Sequence, residues 1–96
     1  MAAYVIAQIN VTDPETYEDY RALVPATLAA YGGEFVVRGG DQEALEGVAP
    51  SPRTVVLRFA DMAAARAWHE SPEYAEAKAI RQSASTGTLL LVDGID

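Results

Sequence analysis

His69 is the one side chain that titrates near neutrality without help, and so it is the default general base of this chain. It follows Trp68 at the end of a helical stretch, where a surface imidazole also interacts favourably with the helix dipole. No Ser or Cys stands at a spacing that makes it a nucleophile for His69, so triad chemistry has no support. Arg38 precedes Gly39-Gly40 at the end of a strand. A guanidinium there can hold an anionic group while the glycines let a ligand approach the backbone. A salt bridge and a bulge or turn explain the same residues without a ligand. Tyr17, Tyr20 and Tyr31 share one helical stripe, and their hydroxyls either line a cavity or reach the rim of a core. Tyr20 leads this set because it lies just before Pro25. A proline inside a helix frees a carbonyl and opens space beside the helix. Trp68 shares a face with Met62 and Ala65 and is expected to pack on the core beside any such space.

The other charged residues carry weaker signals. Arg53, Arg58 and Arg81 are scattered along the sequence. Alternation puts Arg58 with Thr54 and Val56, opposite Val55, Leu57 and Phe59. On an internal face Arg58 needs a carboxylate or a ligand, and Gln8 and Asn10 could join its network. Glu43 and Glu46, with Asp41, could act as an acid–base pair or hold a cation, but a solvated loop explains them more simply. The Gly-Gly pairs match no phosphate-cradling motif.

Something must position these residues, and composition limits what. Ninety-six residues make one domain, residues 1–96, and half of them are apolar. The chain has no Cys and one His, so thiolate sites, disulfides and multi-histidine metal sites drop out; no metal and no cofactor is expected. A formal charge of −7 argues against nucleic acid and anionic membranes as partners. No apolar run of membrane-spanning length and no leader-like start is seen, so a cytoplasmic place is expected. The cations are six Arg and one Lys. Arg is the better residue for a partly buried fork that grips carboxylate or phosphate.

Tyr4–Val11 alternates as a strand. Thr12-Asp13-Pro14-Glu15 starts a helix, with Asp13 as cap and Pro14 at the first helical position. Gly32-Gly33 ends that helix, and Pro25 should kink it. Strands follow at 34–38 and 53–60, with residues 41–48 read as a short strand or an arm. Asp61 caps a helix over 62–70, Ser71-Pro72-Glu73 starts a further piece to about Ser83, and 88–92 is the last strand. The order β-α-β-β-α-β, with its second helix broken, predicts an α+β ferredoxin-like fold: one antiparallel sheet with its helices on one face. The other face should then be polar. Instead Val36, Val56, Leu90 and Val92 alternate against the core-facing set, so both faces carry bulky apolar residues. A two-fold homodimer stacking sheet on sheet covers the second face.

The strings Ala3-Tyr4-Val5-Ile6-Ala7, Thr12-Asp13-Pro14-Glu15, Val24-Pro25, Ala30-Tyr31-Gly32-Gly33, Val37-Arg38-Gly39-Gly40, Ala64-Ala65-Arg66-Ala67-Trp68 and Ser71-Pro72-Glu73-Tyr74 resemble the domain of unknown function 1330 family over nearly the whole chain. That family is similar to the dimeric α+β barrel group, so the resemblance implies ferredoxin-like protomers paired through their sheets. The wider group includes cofactor-free monooxygenases and isomerases, and its ligands commonly sit between helices and sheet. His69 and Arg58 depart from the family's usual residues at their positions.

The expected protein is a homodimer that binds a small organic molecule, anionic or aromatic, in a helix–sheet pocket. Tyr20, Arg38, Arg58 and Trp68 are the candidate ligand-binding residues, and His69 is the weak catalytic candidate. Two other readings stay open: a cofactor-independent monooxygenase- or isomerase-like enzyme, and a non-catalytic dimer whose pockets are filled by its own side chains. A cavity of roughly 300 Å³ or more favours a ligand, and a packed interface favours the structural dimer.

Overall fold

Three polar residues start three helices. The Asp13 carboxylate accepts from the Thr16 backbone N–H at 3.2 Å and from the Thr16 hydroxyl at 2.7 Å, opening α1, Pro14–Ala30. Asp61 accepts from the Ala64 N–H at 2.8 Å and opens α2, Met62–His69. Ser71 accepts from the Tyr74 N–H at 3.1 Å and opens α3, Pro72–Ala84. Its hydroxyl also donates to the Trp68 carbonyl at 2.7 Å, tying the end of α2 to the start of α3. Each cap satisfies an N–H with no partner inside its helix, and each stabilises by about 1 kcal/mol. Past α1, Gly32 turns the chain at φ +70°, and the Gly33 N–H returns to the Leu28 carbonyl at 2.9 Å. A side chain at Gly33 would collide with the Phe59 ring.

The computed structural model describes all residues 1–96. The strands are β1 Ala3–Val11, β2 Glu34–Arg38, β3 Arg53–Phe59 and β4 Ser85–Asp93. They form one sheet in the order β2-β3-β1-β4, antiparallel throughout. The fold is therefore α+β, with three helices against one face of a four-stranded sheet. The short axis of 17 Å is that of two layers. Between them lies the core, including Leu28, Leu57, Phe59, Trp68 and Tyr74. Ile9, Tyr17 and Ala84 extend it toward the other end of β1.

Three features differ from the sequence expectation. Residues 41–48 form no strand; they are exposed loop, held back by Gln42, whose amide donates to the Ser51 carbonyl and accepts from Thr54. β4 begins three residues early, directly where α3 ends. The third difference is a bulge in β2. Phe35 pairs with Leu57, but Val37 pairs with Val56, so the alternation slips at Val36. Simple alternation puts Phe35 and Val37 together and sends Arg38 to the opposite face. The bulge instead sends Val37 to the outer face and pairs Arg38 with Val55, on the helix side with Phe35.

The outer face is apolar in part, as the alternation predicts. Ile6 on the central strand lies between Val56 and Leu90. Leu90 is 59 % exposed, Val36 54 % and Val92 42 %. An apolar patch of neighbouring residues on an open sheet face is a feature that soluble chains usually cover. No helix is long and apolar enough to cross a membrane.

Candidate functional site: a cavity between helices and sheet

α1, α3 and the sheet enclose a cavity in the middle of the core layer. Eleven of its 15 lining residues are hydrophobic, and Tyr20, Arg38 and Trp68 are among the lining set. The enclosed space is about 30 Å³, room for a water molecule or two. Counting the mouth open to solvent, the free space is about 460 Å³.

The Arg38 guanidinium stacks 4.3 Å from the Phe35 ring centroid, an arrangement the β2 bulge makes available. Its Nη2 donates to the Arg21 carbonyl at 3.1 Å. Arg21 is four residues before Pro25, so its carbonyl is the one that loses an intrahelical donor to the proline. Arg38 thus supplies the hydrogen bond that Pro25 cannot. The sequence pointed to Pro25 and to Arg38 separately, and the fold joins them.

Tyr20 lies half-buried at the cavity, with its hydroxyl 3.0 Å from the Tyr74 hydroxyl. Burial first, then the neighbouring Tyr74, push its phenol well above the usual range. Tyr20 is therefore a neutral hydrogen-bonding group and not a base. Trp68 is 1 % exposed. Its ring stacks on Tyr74 at a centroid distance of 4.1 Å, and its Nε1–H donates to the Thr27 hydroxyl at 3.1 Å. It is a core anchor whose edge borders the cavity.

His69 does not line this cavity. It faces a second hollow beside the edge strand β4, of about 140 Å³, with Arg66 and Glu70. Burial, then the charges of Lys78 and Arg81, lower the His69 pKa. The folded chain therefore disfavours the protonated imidazole. Above pH ~6.5 both folded and unfolded forms hold it neutral and nothing changes. As pH falls through that value toward the folded pKa, the unfolded chain takes up more proton and the fold loses stability. The expected result is an imidazole C2-proton titration by NMR with its midpoint below that of a free histidine, and a flatter acid-side stability profile in His69→Gln. A midpoint at or above the free value contradicts the burial shown here.

Arg58 lies on the outer sheet face, opposite Tyr4, and also borders no part of the cavity. It pairs with Glu34 at 3.4 Å and with Asp96 at 3.6 Å, both exposed contacts. Gln8 joins a different network, accepting from Ser51 and Thr54. Glu43, Glu46 and Asp41 are exposed in the 39–52 loop.

Sequence reasoning named Arg53 and Arg81 without giving them a place and passed over Arg21. All three line the cavity together with Arg38. For Arg53 and Arg81 the signal was present. Alternation puts Arg53 in phase with Val55, Leu57 and Phe59, and Arg81 falls on the Tyr74, Ala77, Ala84 stripe of α3.

An antiparallel ferredoxin-like sheet with a helix–sheet cavity defines the class of fold. The chain belongs to the family described as Domain of unknown function (DUF1330), which matches residues 2–95. No curated protein matches the sequence. Among solved structures, a protein of unknown function from Rhodopseudomonas palustris is 18 % identical with a TM-score of 0.80, over 99 % of this chain and 83 % of that one. A dimeric ferredoxin-like protein of unknown function from Jannaschia sp. CCS1 is 20 % identical with a TM-score of 0.71, over the whole of both chains. SnoaB, a cofactor-independent oxygenase from Streptomyces nogalater, is 18 % identical with a TM-score of 0.67, over 99 % of this chain and 94 % of that one. These likenesses are of fold.

Proposed function

We propose that the chain works as a cytoplasmic homodimer, paired sheet on sheet in the dimeric α+β barrel manner, and binds a small organic molecule in the helix–sheet cavity of each protomer. The observation that carries the binding role is the meeting of Tyr20, Arg38 and Trp68 at one apolar cavity from three separate elements. Such a setting, mostly apolar with a few convergent polar groups, is the usual character of a ligand site. The open apolar sheet face supports the dimer, and so does the Jannaschia protein of like fold. Arg58 has no part in this reading, since its ion pairs lie on the other side of the sheet.

The size of the cavity favours a second reading. Thirty cubic ångströms is far below the roughly 300 Å³ of a typical ligand pocket. A structural dimer with self-filled pockets accounts for that number directly. A ligand has to move side chains, and the long arginines at the cavity are the ones able to move. Cofactor-independent catalysis, as in SnoaB, has less support, because His69 opens to another hollow and Tyr20 is held neutral.

Native mass spectrometry of the purified protein tests both parts. The expected result is a mass of two chains with a discrete small adduct that is lost on denaturation. Two bare chains, still bare after incubation with small organic acids, favour the self-filled dimer. A single chain overturns the sheet pairing.

A further inference from the structure

Four of the seven cationic side chains of a chain with formal charge −7 line one cavity. They are Arg21, Arg38, Arg53 and Arg81. No Asp or Glu is among the lining residues. The Nε atoms of Arg21, Arg53 and Arg81 are buried without an acceptor. Ion pairs form at Arg21, with Glu18 on the surface, and at the distant Arg58, but not at Arg53 or Arg81. Arg53 instead rests over the Tyr17 ring at 5.5 Å, with its guanidinium in the space that a side chain at Gly39 (φ +70°) would fill. Buried donors are paired in the great majority of cases, and an unpaired one is costly. Three around one cavity, all of one charge, point to an acceptor that the protein itself does not supply.

On the reading that the cavity takes a small molecule, we infer that its ligand is an organic oxyanion with an apolar body, its carboxylate or phosphate held by Arg53 and Arg81 with Arg21 beside them. The apolar walls of Val5, Val24, Leu57 and Leu89 receive the body. A planar guanidinium fits an oxyanion in a two-point fork, and a partly buried setting strengthens that pairing. Arg38 is more exposed, and its guanidinium is already engaged by the Arg21 carbonyl and the Phe35 ring, so it is left out of the fork. Like charges around one cavity whose lining holds no carboxylate favour an anion over a neutral molecule.

The test titrates the intact protein with benzoate, with its neutral analogue benzamide, and with inorganic phosphate. Binding is read by calorimetry and by the NMR signals of the arginine Nε–H groups. Benzoate is expected to bind at least about tenfold more tightly than benzamide and to shift the Nε–H signals of Arg53 and Arg81. Arg53→Gln and Arg81→Gln should each abolish that preference, and Arg66→Gln, outside the cavity, should keep it. Equal affinity for benzoate and benzamide overturns the oxyanion inference and leaves the cavity reading standing. Phosphate binding as tightly as benzoate overturns the apolar body. No binding of either aromatic molecule at millimolar concentration overturns the cavity reading, and the inference with it. If Arg81→Gln fails to fold, Arg53→Gln and the wild-type pair of ligands decide the matter.

Discussion

Leu90→Asp is expected to convert the proposed sheet-paired dimer to single chains while the far-ultraviolet circular dichroism stays that of the folded protein. Leu90 is 59 % exposed in the protomer, so a carboxylate there leaves the protomer's own packing almost unchanged. It lies beside Ile6 of the central strand, near the middle of the face proposed to pair. In a sheet-on-sheet contact that position is dry, and an unpaired buried charge costs about 3 kcal/mol or more. Two-fold symmetry applies the cost twice. About 6 kcal/mol weakens association by about 10⁴-fold, enough to split the dimer at micromolar concentration. Leu45→Asp is the control. Leu45 is 87 % exposed on the 39–52 loop, off the sheet, and its variant should remain two chains. Light scattering and native mass measure both. A Leu90→Asp protein that stays dimeric removes the sheet face from the interface.

That face was legible because strand alternation is a strong pattern. β1, β3 and β4 each separate a helix-facing set from an outer set, and the pairing of Ile6 with Val56 and Leu90 brings the outer sets together. The helix starts were legible for a similar reason: Asp13, Asp61 and Ser71 each stand at a cap position, with proline at the first helical position after Asp13 and Ser71. The site was legible only in pieces. Arg38 required the bulge at Val36 to reach the helix side, and nothing local in Glu34–Arg38 announces a bulge. Its contact with the Arg21 carbonyl spans 17 residues and depends on how β2 meets α1. Arg53 and Arg81 fell in phase with buried neighbours, but a long cation in phase with a core is usually one whose head reaches solvent. Whether the head escapes depends on tertiary packing, and here their Nε atoms do not. His69 drew notice through its chemistry and its place at a helix end, and neither says which hollow the ring faces.

Trp68→Ala is expected to cost about 3–5 kcal/mol, the usual loss for truncating a fully buried aromatic. A domain of this size holds about 5–15 kcal/mol in total, so the variant keeps a small margin or unfolds near ambient temperature. The corresponding fall in Tm is about 15–30 °C, read by circular dichroism at one fixed protein concentration because association adds to apparent stability. Trp68 touches Tyr74 and Phe59 through its ring and Thr27 through its Nε1–H, so it joins α2, α3, β3 and α1 at one point. Trp68→Phe separates the two kinds of contact. It retains most of the stacking and removes the hydrogen bond, and the Thr27 hydroxyl still donates to the Val24 carbonyl. The expected cost is then about 1–2 kcal/mol. A residue that served mainly as a ligand wall would show the opposite pattern: two variants of near-equal stability, both defective in binding benzoate. A core anchor with one edge at the cavity gives a steep stability difference between Ala and Phe, and a Trp68→Phe protein that still prefers benzoate to benzamide. The second pattern follows from a side chain 1 % exposed and bonded to a buried hydroxyl. It also locates the binding energy where the unpaired donors are, on the arginines rather than on the aromatic wall.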